Sequence, residues 1–229
     1  MTIGPGDTGG MAEDGSRTDR VVEALAERLL NTGIDGLGKI DSAQEVADAA
    51  LREEAGADEA IDAIVSQHVK LAATGGFLTG LGGFVTLPVA LPANVVGFYV
   101  IATRMVAAIA AVRGHDLKDP GVRTAVLLAL TGDDATEILR KAGGGVVTGR
   151  ATAFALGRLP PAALMAVNKG VAFRIVVKLG QKGLGRLGRM VPLAGGVIGG
   201  GVDAYVMRRI AKHARNELPA EPPRQITSG

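Results

Sequence analysis

Few residues in this 229-residue chain have the type and spacing for chemistry. Gly183-x-Gly185-x-x-Gly188 matches the glycine pattern of dinucleotide-binding loops, and Asp203 follows at the distance of a ribose-binding acid. That chemistry needs a strand ahead of the glycines and a helix opening on them, whose N-terminus meets the pyrophosphate. Here a basic, helically spaced segment leads in and Pro192 follows close behind, so no nucleotide site is expected. His115, Asp116 and Asp119, and the pair Asp133 and Asp134, have the donors to bind a cation or work as acid and base. Helix caps and turns put aspartates at such positions anyway, so an enzyme would need His115, Asp116 and Asp119 to converge in a pocket. His68, between Val65 and Val69 on a helical face, reads as a core or boundary histidine. With no cysteine in the chain, thiol catalysis, Cys-ligated zinc and iron–sulfur clusters are excluded. The expectation is a non-enzymatic protein with no catalytic residue, no metal and no cofactor.

A different chemistry is available to the basic series Arg174, Lys178, Lys182, Arg186 and Arg189. Its steps of three and four residues make one helical stripe, with Ile175, Val176 and Leu179 beside it. A basic stripe along apolar surface is attracted to anionic lipid, each charge near the surface contributing about 1 kcal/mol. A solvated face, or one paired with acidic residues of the same chain, has the same composition. The charge is segregated enough for either: residues 1–70 carry 15 acidic and 6 basic side chains, and residues 138–202 carry 10 basic and no acidic ones. Nucleic acid is not expected as a partner, because Phe154 and Phe173 are the only stacking aromatics in that basic block.

The elements that must position these residues are helical and rich in glycine, with 34 glycines and a mean hydropathy of +0.27. Residues 71–103 carry no charge. As one straight helix this run would be about 50 Å long, well beyond a hydrocarbon core of about 30 Å. Gly75, Gly76, Gly80, Gly82 and Gly83 weaken one half, and Pro88 and Pro92 interrupt the middle, which predicts two apolar arms joined at a proline-containing bend. Either a buried core hairpin or a re-entrant membrane hairpin fits. In the second case Phe77, Leu78, Leu81, Phe84, Leu87, Pro88, Leu91, Pro92 and Phe98 are the apolar contacts. A second apolar block, residues 190–202, holds Gly195, Gly196, Gly199 and Gly200. Gly76/Gly80, Gly195/Gly199 and Gly196/Gly200 are pairs one turn apart that let helix backbones approach closely.

The remaining punctuation is also helical. Val21, Val22, Leu25, Leu29 and Leu30 make a stripe that stops at Asn31 and Gly33, Ser42-x-x-Glu45 is a capping box, and Asp58 caps a third helix. Gly114 ends a helix starting near Asn94, Asp119-Pro120 opens the next, Asp133 a short one and Pro160-Pro161 another. Residues 205–216 form a final amphipathic helix with Arg208, Arg209, Lys212 and Arg215 on its polar side. The fold class expected is all-α: one domain over residues 18–217 with Gly/Pro-interrupted apolar hairpins. It comprises an acidic region at 18–70, the hairpin at 71–103 and a basic, glycine-rich half at 138–202. Disordered tails are expected at 1–17 and 218–229. No secretory signal is visible at the N-terminus, so a cytoplasmic location is expected.

Three patches resemble the EcsC protein family. They are Thr79-Gly80-Leu81-Gly82-Gly83 with Pro88, Leu91 and Pro92; Val112-Arg113-Gly114-His115-Asp116 with Asp119 and Arg123; and Val191-Pro192-Leu193-Ala194-Gly195-Gly196 with Asp203. The resemblance covers roughly residues 20–217. It implies a helical, membrane-associated bacterial protein with no established enzymatic activity, and its gene context implies a membrane transporter as partner. His115 and Asp203 depart from the family pattern. Residues and resemblance together predict lipid binding at the cytoplasmic leaflet by a homo-oligomer. The alternative is a soluble self-assembling helical protein, or a carrier that encloses an apolar ligand.

Overall fold

The computed structural model describes residues 20–81, 87–142, 156–185 and 192–221. Every regular element among them is helical, and an isolated bridge between Leu37 and Ile40 closes one turn. Helix α1 (20–28) runs into a π-helical segment, Leu29–Ile34. It is followed by α2 (Ala43–Glu53), α3 (Ala57–Leu81), α4 (Leu87–Val112), α5 (Pro120–Ala129) and α6 (Ala135–Lys141), then by α7 (Pro161–Gly185) and α8 (Pro192–Glu217). The fold is all-α.

Local signals set most helix starts. Ser42 and Glu45 form the complete capping box, with Ser42 N–H donating to Glu45 at 2.8 Å. Asp119 accepts from the backbone of Gly121 and Val122, and Pro120 occupies the first turn of α5. Gly114, at φ +88°, ends α4 in the left-handed region that favours glycine. Asp58 does not cap α3 but lies in its first turn, where a carboxylate suits the helix dipole. The α1 stripe passes through Asn31 and Gly33 instead of stopping there. At Gly33 a Cβ would lie 2.7 Å from Thr103 Cβ, so the widened π-turn presses bare backbone onto α4.

Helix α4 is the centre. Its residues 105–110, Met105 to Ala110, are fully buried, as is Ala102. A helix apolar on all sides is stable where other helices surround it, and α4 packs against the π-segment, α2, α3, α5, α7 and α8. Phe98, expected on a membrane-contact surface, is instead buried inside the protein with its ring edge-on to Tyr99 at 5.4 Å. The second half of the uncharged run is thus partly core. The bend differs from expectation too: Pro88 lies in the first turn of α4 and Pro92 within the helix. Proline costs little at a helix start, where its N–H would have no partner. Helix α3 ends at Leu81 and α4 starts at Leu87, and residues 82–86 lie outside the described residues.

The most extensive helix pair is α3 with α8. Gly76 meets Gly199, and Asp62 bonds Arg215, so the two helices run antiparallel. Residues 192–202 of the expected apolar block and the expected helix at 205–216 form one continuous helix. At Gly76 a Cβ would lie 2.8 Å from the Gly199 carbonyl oxygen, and at Gly199 one would lie 2.7 Å from that of Gly76. Gly80, Gly195, Gly196 and Gly200 lie on the same helices.

Gly76→Val must push two backbones apart, and is expected to cost about 2–3 kcal/mol in chemical denaturation. Gly201→Ala, where nothing lies within 4 Å, is expected to stabilise by about 0.5–1 kcal/mol through better helix propensity.

Candidate functional site

The antiparallel register gathers the uncharged helix ends. Residues 71–81 close α3, residues 192–202 open α8, and Gly76 lies against Gly199 between them. Helix α4 returns antiparallel to α3 after five residues, its Arg104 close enough to His68 to oppose protonation there. The first charges met from this end are Lys70 on α3, Arg104 on α4 and Asp203 on α8. At 1.5 Å per residue the uncharged ends of α3 and α8 are each about 16 Å long, and that of α4 about 25 Å.

Phe77, Leu78 and Leu81 end α3, and Leu87, Pro88, Leu91 and Pro92 begin α4; their side chains lie outside the described part, as does Phe84 altogether. Lys178 and Lys182 are on α7, also without described side chains, and Arg186 and Arg189 lie outside the described residues. Arg174 is engaged within the protein: it donates to Asp134 at 2.7 Å and lies 3.9 Å from Glu137, pinning α7 to α6. Asp133 has no described side chain. Gly183 and Gly185 close a helix, so no strand leads into the dinucleotide-like pattern; Gly188 lies outside the described residues.

One face was missed by reading α8 in two pieces. Val197, Ile198, Val202 and Tyr205 are 69, 45, 38 and 60% exposed, and Arg208, Arg209 and Lys212 follow, also exposed. At about 100° per residue all seven fall within an arc of about 140°. That face changes along its length from aliphatic, through one tyrosine, to cationic. Asp203 and Glu217, the acidic residues of α8, fall off this arc.

The opposite end of the bundle is polar and tightly tied. Arg113 donates to the carbonyls of Arg215 and Leu218, and Glu221 N–H donates to the Arg113 carbonyl at 2.9 Å. His115 Nε2 donates to the Pro219 carbonyl at 2.7 Å, and its Nδ1 lies 3.2 Å from Glu221. The tail expected to be loose from 218 is therefore docked through Glu221, with Leu218 fully buried. Asp116 accepts from Lys118 N–H in a turn and Asp119 caps α5, so His115, Asp116 and Asp119 each serve a separate structural bond. Among the described residues no three His, Asp or Glu side chains group to hold a metal ion. Arg123 donates twice to Asp35 at 2.8 Å, which holds that carboxyl below its usual range and ties α5 to the π-segment.

The sequence model of the EcsC protein family matches residues 17–142, more than half of the chain. The chain belongs to the EcsC protein family. No curated protein and no solved structure matches it. In this EcsC-family chain the first two motif patches lie inside the matched span, and the third, Val191 to Asp203, lies outside it. The Gly76–Gly199 contact joins the outlying piece to the matched one.

His68 lies just on the charged side of the boundary, buried, with Nδ1 donating to the Ile64 carbonyl at 2.8 Å. Burial, aided by Arg104 and opposed by the Ile64 bond, pushes its imidazole down from 6.5 to about 4. The unfolded chain then binds the proton more readily, so stability is full above pH 6.5 and falls as pH drops towards 4. Between pH 7 and 5 the loss is expected to be about 2 kcal/mol in urea melts. His68→Leu should remove that slope; an unchanged slope would assign it to other groups.

Proposed function

We propose that this EcsC-family protein is a non-enzymatic protein of the cytoplasmic membrane surface that inserts the uncharged end of α3, α4 and α8 into one lipid leaflet. The observation that carries the reading is the gathering of three uncharged helix ends at one end of the bundle, which give way to charge at Lys70, Arg104 and Asp203, the Asp203 carboxylate lying against Gly76. The uncharged length, about 16 Å on α3 and α8, matches half of a hydrocarbon core of about 30 Å.

Two further features support insertion. Val197, Ile198 and Val202 are exposed on α8 although the chain has a large buried core to hide them in. Lipid is also a demanding solvent for helix ends, since each N–H without a partner costs several kcal/mol there. Pro88 and Pro192 each remove one such donor from the first turn of α4 and α8. The stretch Val95–Val112 is long and apolar enough to cross a membrane, but over half of it is buried within the protein. That is why one leaflet, and not a full span, is proposed. Attraction of the basic half to anionic headgroups and self-association through glycine faces are parts of the same proposal. A place beside a membrane transporter rests on the family resemblance alone.

Flotation of the purified chain with neutral and anionic liposomes, at low and high salt, tests the reading. Preference for anionic vesicles that weakens but survives in salt is expected, because salt screens the charges and leaves the apolar contribution intact. Protein left unfloated as a defined, detergent-free assembly would overturn insertion in favour of a soluble self-assembling protein or apolar-ligand carrier.

A further inference from the structure

We propose that α8 carries the phosphate-binding site for anionic phospholipid, formed by Arg208 and Lys212 with Tyr205 at the edge of the hydrocarbon. The inference rests on the membrane reading above and names residues for it that the basic series from Arg174 to Arg189 does not include. Tyr205 lies about 4.5 Å along the axis beyond Val202, Arg208 about 9 Å and Lys212 about 15 Å. Val202 is the last exposed aliphatic residue on this face, Tyr205 is 60% exposed, and both cations are exposed. An amphipathic ring followed by cations is the order that the interface between hydrocarbon and headgroups favours.

Helix direction decides which cations can serve. Every Cα–Cβ bond tilts towards the N-terminus of its helix. In α8 the N-terminus is the uncharged end, so Arg208 and Lys212 lean towards the bilayer, and their apolar stems lie along the helix while the charged heads reach the phosphates. Lys70, on the antiparallel α3, leans the other way. Arg104 shares the direction of α8, but it is half buried and its guanidinium faces the Asp41 carbonyl at 3.4 Å. Arg215 is bound to Asp62, and Arg174 to Asp134. The positive end of the α8 dipole also points to the bilayer. Asp203 and Glu217 fall off this face, so the side chains along it are aliphatic, aromatic or cationic, which is the complement an anionic surface requires.

The test is fluorescence titration of the full chain with phosphatidylcholine vesicles and with phosphatidylglycerol vesicles at low salt. Arg208→Gln with Lys212→Gln is expected to weaken phosphatidylglycerol binding about 30-fold and to leave phosphatidylcholine binding unchanged. Arg208→Lys with Lys212→Arg should keep binding to both. A control of equal charge change, Arg52→Gln with Lys118→Gln, removes exposed cations elsewhere and should change either affinity less than about threefold. If the α8 pair behaves like that control, the site is overturned while the membrane reading stands. If the unaltered chain binds neither vesicle, both fall.

Discussion

The close approach of Gly76 and Gly199 is the contact on which the rest of the architecture depends. It brings two backbones together with the Asp203 carboxylate packed against Gly76 beside them, so α3 and α8 have one register. Apolar burial alone selects such a register poorly, because one aliphatic residue substitutes for another along a smooth helix. A contact that tolerates no Cβ is selective. Asp62 with Arg215 then fixes the far end of the same pair.

The two ends of the bundle follow opposite strategies as a result. At the polar end, orphan carbonyls at the end of α8 are taken by Arg113, and the tail from Leu218 to Glu221 is held by His115 and the Arg113 backbone. Such bonds satisfy helix termini in water or protein. At the uncharged end, glycine packing and prolines at helix starts reduce the need for polar partners. Between them α4 is buried on all sides over residues 105–110, which anchors both ends to one core.

Features set by a few neighbouring residues were legible in the sequence. The Ser42–Glu45 capping box, Asp119-Pro120 and the left-handed Gly114 were read correctly because each is decided within one turn of chain. The all-α class followed from the same signals. Features decided by distant partners were not legible. Many glycine pairs one turn apart compete, and nothing local singles out Gly76 with Gly199, which are far apart in the chain. The composition change at Asp203 suggested two segments, yet no helix breaker stands there, and α8 runs straight through. Pro219 and the prolines after it suggested a loose tail, but its order comes from Arg113 and His115, more than 100 positions earlier. The cationic residues of α8 were visible as a polar face; their relation to the exposed aliphatic residues needed the continuous helix.

Because the chain has no cysteine, one introduced thiol reports a single position. Val197→Cys, at a site 69% exposed, labelled with a polarity-sensitive fluorophore and mixed with anionic vesicles, measures insertion of the uncharged end most directly. The account predicts a blue shift and strong quenching by lipids with nitroxide on the acyl chain, with neither at a Leu37→Cys label in the polar part of the chain. Water-like emission from the Val197 label on vesicle-bound protein would contradict insertion.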